Sequence, residues 1–146
     1  MTYTIYSIGH SNLKIEEFIS ELKEHNIEVL VDLRSHPYSR YVPHFNKDRL
    51  QGSLDDEKIE YTYFGNKLGG RPPEGIENFV RTQKFIDNIS ELLTILDGKG
   101  KNTALMCSEI DHNNCHRKII LNEIEKRGRH VAVISRNKKI DSNTWF

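Results

Sequence analysis

Short apolar runs alternate with helix-period segments along the chain, and this alternation constrains the fold more than any single residue does. Residues 3–8 (YTIYSI) read as a first strand, ended by Gly9. Ile15, Phe18, Ile19 and Leu22 then fall at i, i+3, i+4 and i+7, one face of a helix over 14–25. Ser11 or Asn12 is the expected cap at its start. Residues 28–33 (EVLVDL) form the near-continuous apolar run of a parallel strand buried on both faces. After Pro37 and Pro43, a short helix is expected within 46–57 and a third strand at 60–64 (EYTYF). Gly65, Gly69, Gly70, Pro72, Pro73 and Gly75 mark 65–75 as a loop without regular structure. A long helix follows, with Phe79, Ile86, Ile89, Leu93 and Leu96 on one face and Gly98 at its end. Residues 103–107 read as a fourth strand, 115–127 as a fourth helix and 130–134 (HVAVI) as a fifth strand. The pattern predicts an α/β fold: one three-layer domain with an open, mostly parallel sheet of about five strands and helices on both faces. Residues 1–146 are expected to form this single domain, with a core over about 3–134 and a polar C-terminal tail at 135–146 carrying Trp145 and Phe146.

Lys+Arg and Asp+Glu both number 21, so no global field selects nucleic acid or an anionic membrane. No apolar run reaches the roughly 18 residues of a membrane span. The first residues, Met1 to Tyr6, lack the basic and apolar regions of a signal peptide. Two cysteines do not make a disulfide scaffold. The expectation is a cytoplasmic protein with reduced thiols.

The expected strands deliver polar groups to one edge. The first ends in Gly9-His10-Ser11 and the second in Asp32-Leu33-Arg34, followed by Ser39 and Arg40. The third leads to Gly69-Gly70-Arg71, and the fourth ends in Cys107-Ser108-Glu109. In a parallel sheet these loops share a face, where open α/β folds bind ligands. Arg34, Arg40, Arg71 and Arg117 are candidate anion holders, because guanidinium donors match phosphate or carboxylate in pairs. The alternative is that they pair with acids such as Asp32, Glu74 or Glu109. Helix starts near Ser11 and Cys115 would add backbone donors. His10, after a strand-ending glycine, is a candidate acid or base, or only bonds the adjacent loop. His36, His44 and His112 are more simply loop residues. Tyr38 and Tyr41 can stack a base beside the arginines, whereas Tyr61 and Phe64 read as strand residues and Phe45 as a core anchor.

Cys107 and Cys115 admit several readings. A thiolate at a helix start beside Arg117 would be nucleophilic, and this suits Cys115 better than Cys107. A metal could recruit Cys107, His112, Cys115 and His116, although the spacing is not Cys-x2-Cys and adjacent Cys115 and His116 rarely reach one ion. A Cys107–Cys115 redox disulfide would close a short loop. The remaining alternative is a structural one, with Cys107 a small buried hydrophobe and Cys115 packed beneath a helix. The distance from Cys107 to Arg117 exceeds that of a Cys-x5-Arg phosphate loop, and neither a Gly-x-Ser-x-Gly elbow nor a Gly-x4-Gly-Lys-Ser/Thr loop occurs.

Taken together, Ile8-Gly9-His10-Ser11, Val31-Asp32-Leu33-Arg34 with Pro37, Ser39-Arg40 and Phe45, Leu68-Gly69-Gly70-Arg71-Pro72, and Met106-Cys107-Ser108-Glu109 with Cys115-His116-Arg117 resemble the domain of unknown function 488 family. The order and spacing correspond over about residues 3–134. The resemblance implies one α/β domain, usually a stand-alone prokaryotic protein, without a settled reaction; some members carry a DNA-repair label. It also implies a shared set comprising His10, Ser11, Asp32, Arg34, Pro37, Ser39, Arg40, Gly69, Gly70, Cys107, Glu109, Cys115, His116 and Arg117.

The leading expectation is an enzyme acting on a phosphate-bearing substrate, a nucleotide or nucleic-acid component, with no cofactor specified. His10, Asp32, Cys107, Glu109 and Cys115 are the catalytic candidates. Ser11, Arg34, Ser39, Arg40, Arg71, His116 and Arg117 are the substrate-binding candidates. The alternatives are a non-catalytic nucleotide or single-strand nucleic-acid binding module, and the metal site on Cys107, His112, Cys115 and His116. A small anionic ligand or nucleic acid is the expected partner, and a membrane is not.

Overall fold

The computed structural model describes residues 2–109 and 115–134. His112 and the tail at 135–146 lie outside the described residues. Five strands, β1 (Thr4–Gly9), β2 (Val29–Asp32), β3 (Glu60–Tyr63), β4 (Thr103–Cys107) and β5 (His130–Val133), form one parallel sheet in the order β3-β2-β4-β1-β5. The α/β expectation holds. Strand order, which the sequence pattern left open, puts β4 at the centre.

Side-chain alternation along the strands splits the core in two. Val29, Val31 and Leu105 face one layer, formed by α5 (Gln83–Lys99) and α6 (Arg117–Lys126). Leu30, Ala104 and Met106 face the other, formed by α1 (Ile15–Glu24) and α2 (Lys47–Asp56). Phe18 and Leu22 anchor α1, Leu50 and Leu54 anchor α2, and Ile89, Leu92 and Leu96 anchor α5, all at helical spacing and almost fully buried. Phe45 is fully buried, as the core anchor of the loop after β2.

Several local expectations change. Neither Ser11 nor Asn12 caps α1. Lys14 is the capping position, its N–H held by Glu17 Oε1 at 3.1 Å. Ser11 instead turns the chain with a φ of 48°. Within 65–75, where no regular structure is expected, Gly65–Leu68 closes one turn, α3. A Cβ on Gly65 would lie 1.9 Å from the Arg34 carbonyl oxygen, so only glycine lets this turn lie on β2's exit. The expected long helix is two: α4 (Ile76–Phe79) and α5, which restarts at Thr82, whose Oγ1 accepts from the Phe85 N–H. Ile86 is exposed, not on the buried face. Gly98 does not end α5; Gly100 does, in the left-handed region at φ 62°. The last described helix, α6, starts at Arg117, with His116 rather than Cys115 at its cap.

The helices carry functional consequence through their sides. The crossovers leaving β1 and β2 run through α1 and α2 on one face. Those leaving β3 and β4 run through α5 and α6 on the other. β4 therefore lies between two neighbours whose outgoing loops turn the opposite way. Such a reversal opens a crevice at the carboxyl ends of the strands. Among the described residues, no helix is long and apolar enough to cross a membrane.

Candidate functional site

A cleft of about 840 Å³ occupies this crevice, with walls from the loops after β1, β2, β3 and β4. The ladder runs past the strands into its floor: His10 N–H donates to the Cys107 carbonyl at 3.0 Å and Ser11 N–H to the Ser108 carbonyl at 2.9 Å. Because side chains alternate, the floor has two halves, one on each side of the sheet.

The half on the α1–α2 side is built on Asp32 and Arg34. The ladder continues past β2 through Leu33 N–H to the Met106 carbonyl, so residues two apart still point the same way and the two meet. Arg34 Nε donates to Asp32 Oδ1 at 2.9 Å and Nη2 to Oδ2 at 2.8 Å. The Arg34 backbone N–H also reaches Oδ1 at 3.0 Å, and the Tyr61 hydroxyl donates to Oδ2 at 2.6 Å. Asp32 is fully buried and Arg34 is 7% exposed. The remaining edge of the guanidinium, Nη1, lies 3.5 Å from His10 Nε2. His10 stacks on Phe45 at 4.3 Å between ring centroids. Its Nδ1 lies 2.7 Å from the Ser11 carbonyl, so Nδ1 carries the proton and Nε2 is the acceptor. Burial pushes the His10 pKa down to about 4; the Arg34 charge adds to this, while the Ser11 carbonyl and Asp32 oppose it. His10 is thus neutral at pH 7. The strained left-handed Ser11 provides that carbonyl. Tyr61's hydroxyl is held protonated, first by burial and then by the Asp32 charge.

The half on the α5–α6 side is built on Cys107. Arg117, 1% exposed, donates from Nε to Ser7 Oγ at 2.8 Å. Its Nη1 reaches Cys107 Sγ and the Glu109 carbonyl oxygen, each at 2.7 Å. Cys107 Sγ and Cys115 Sγ are in contact, the pairing expected of a redox disulfide rather than of reduced thiols, with Cα atoms 7.9 Å apart. His116 Nδ1 lies 3.5 Å from Cys115 Sγ. The two sulfurs and one His116 nitrogen all fall within 4.8 Å of one another. Burial is the main force pushing the His116 pKa down to about 4, against the backbone of Leu68 and with the Arg117 charge. Gly70 lies flat against this ring: a Cβ there would come within 3.0 Å of Nδ1.

The structure sorts the sequence candidates. His10, Ser11, Arg34, Ser39, Arg71, Cys107, Glu109, Cys115 and His116 all line the cleft, whereas Arg40 is exposed and outside its lining. Asp32 and Arg117 are buried behind the surface of the floor. Ser39 Oγ accepts from the Tyr41 N–H, and Ser35 Oγ accepts from the Arg71 N–H, both at 3.1 Å. The activated-thiol expectation favoured Cys115, but the guanidinium reaches Cys107. Adjacent Cys115 and His116, expected not to converge, do so. Sequence reasoning missed Ser7 and the role of Tyr61. A serine inside the apolar run YTIYSI was the available signal for Ser7.

Fold and floor together define a doubly wound parallel α/β domain with a polar cleft at the switch point. Residues 14–124 match the family described as Domain of unknown function DUF488. The match covers most of the chain, and the chain belongs to that family. No curated protein and no solved structure matches it.

Proposed function

We propose that the protein, acting as one domain in the cytoplasm, is an enzyme for a small phosphate-bearing substrate, a nucleotide or nucleic-acid component. The observation that carries this reading is the neutral His10 imidazole beside the fixed edge of Arg34 at the cleft floor. Asp32 and Tyr61 hold the guanidinium rigid, so its Nη1 edge costs little reorganisation when an anion meets it. The contact to His10 is long at 3.5 Å and gives way to a phosphate oxygen. Arg71, exposed on the rim, supplies a second cation. His10 Nε2, unprotonated, takes the proton of a hydroxyl or water bound beside that phosphate. Glu109, exposed at the rim, is positioned to serve the leaving side.

Tyr38 and Tyr41, 59% and 87% exposed on the cleft wall, suit the stacking of a base. They also favour a second reading, a nucleotide or single-strand binder without chemistry. Inorganic phosphate, nucleotides and short single-stranded oligonucleotides, screened by thermal shift and calorimetry, test the first reading. A ligand at about 100 times its dissociation constant adds about 2.7 kcal/mol of stability. Arg71→Ala should remove that gain and leave the free protein's stability within about 0.5 kcal/mol. No stabilising phosphate compound, or equal binding by Arg71→Ala, refutes the assignment. Between the two readings, His10→Gln decides: an enzyme loses turnover more than binding, whereas a binder shows no turnover and binds nearly as before.

A further inference from the structure

We propose that Cys107, Cys115 and His116 form a binding site for a thiophilic divalent cation, zinc in the first instance, with an open coordination position facing the cleft. The inference is independent of the phosphate reading. Three soft or borderline donors, all within 4.8 Å of one another, are the donor set zinc selects. Tetrahedral bonds of about 2.3 Å to sulfur and 2.0–2.1 Å to nitrogen put ligand atoms about 3.5–3.8 Å apart. The 3.5 Å between Cys115 Sγ and His116 Nδ1 fits that spacing. The cysteine Cα atoms, 7.9 Å apart, stand beyond the roughly 4.4–6.8 Å of a relaxed disulfide. The two sulfurs touch in this structure, so the reduced pair parts by a small movement to hold one ion between them.

The surroundings match what a metal site needs. The Arg117 guanidinium donates to Cys107 Sγ, an outer hydrogen bond that orients the sulfur and offsets its charge once bound. Ser7 Oγ and the Glu109 carbonyl hold that guanidinium in place. The Gly70 backbone fixes the face of the His116 ring. Cys107, Cys115 and His116 all line the cleft, so the fourth position opens to it. Binding would release one proton from each thiol to solvent, leaving two thiolates, one neutral imidazole and a water on the ion.

The test uses the full chain, reduced and freed of metal by chelator, then titrated with cobalt(II). The expected result is one cobalt per chain with tetrahedral ligand-field bands and a thiolate-to-metal charge-transfer band, all displaced by one equivalent of zinc. Cys115→Ser, checked for fold by circular dichroism, should lose about half the charge-transfer intensity and bind at least ~10-fold more weakly. Gly70→Ala, which crowds His116 Nδ1 and leaves both sulfurs in place, should keep the charge-transfer band but weaken affinity about 10-fold. An octahedral cobalt spectrum, no uptake by folded reduced protein, or uptake unchanged in Cys115→Ser overturns the site. Loss of phosphate binding in Arg71→Ala touches none of these readouts, so the two proposals fail separately.

Discussion

Asp32→Asn tests the architecture of the cleft floor most directly. The substitution keeps the shape and removes the charge. Asp32 accepts four hydrogen bonds, two from the Arg34 side chain, one from its backbone and one from Tyr61, and is fully buried. An asparagine can still offer one oxygen to Arg34 N and Nε. Its amide nitrogen then meets Arg34 Nη2 donor against donor, while the Tyr61 hydroxyl turns to accept. The greater cost falls on the guanidinium, only 7% exposed and left without its counter-charge. Removing one member of a buried ion pair costs about 3–5 kcal/mol. A domain has about 5–15 kcal/mol in all, so the variant should fold but lose a large share. With a urea slope of about 2 kcal/mol/M, the denaturation midpoint should fall by about 2 M. Asp32→Asn combined with Arg34→Met removes the stranded charge and should recover most of the loss. A single variant less than about 1 kcal/mol below the parent, or a double variant no more stable than the single, refutes the argument that this pair is a buried structural unit.

Acid should weaken the fold through His10. The unfolded chain protonates this imidazole below about 6.5, and the folded one only near 4, so stability is full above pH 6.5 and falls as pH drops through that window. The loss is about 1.4 kcal/mol per pH unit, and equilibrium unfolding of His10→Gln should show a flatter profile between pH 6.5 and 4.5; an identical slope would contradict the buried neutral imidazole. Gly65→Ala should cost about 1–3 kcal/mol, because its methyl group meets the Arg34 backbone. Gly52→Ala, inside α2 with nothing within 4 Å of the new atom, should gain about 0.5–1 kcal/mol in the same melts. Tyr61→Phe should cost about 1 kcal/mol by chemical denaturation, since Asp32 keeps its arginine and loses one donor.

Much of the layer structure was legible because it rests on local periodicity. VLV and ALMC are apolar without interruption, and both strands are buried along their length. EYTY, expected only as a third strand, is partly exposed and lies at an edge. HVAV breaks the correlation: it is as apolar as a central strand yet lies at the other edge, half-exposed. Strand order is set by pairing between distant segments, and nothing in the local pattern of β5 encodes whether a sixth strand lies beside it. The Asp32–Arg34 pair was legible for the opposite reason. Asp32 ends β2 and Arg34 lies two residues on in chain that is still extended beside β4, so the two share a side.

The fate of Arg117 required the tertiary structure. Its guanidinium reaches Ser7 and Cys107 only because α6 packs on the face that the odd-numbered residues of β4 and β1 share. A shift of one residue in the β1–β4 register would turn Ser7 to the other layer and remove a group that aims Arg117 at the thiol. The same parity separates the two halves of the floor: His10 and Arg34 fall with Phe45 on the α1–α2 side, and Cys107 falls with His116 and Gly70 on the other. One cleft thus joins a hard, guanidinium-centred half and a soft, sulfur-centred half across the edge of the central strand. A substrate that spans it would meet the fixed donor edge of Arg34 at one end and the thiol cluster at the other. Each half can be disabled from its own layer, through Asp32 on one side or Gly70 on the other, without touching the strand that separates them.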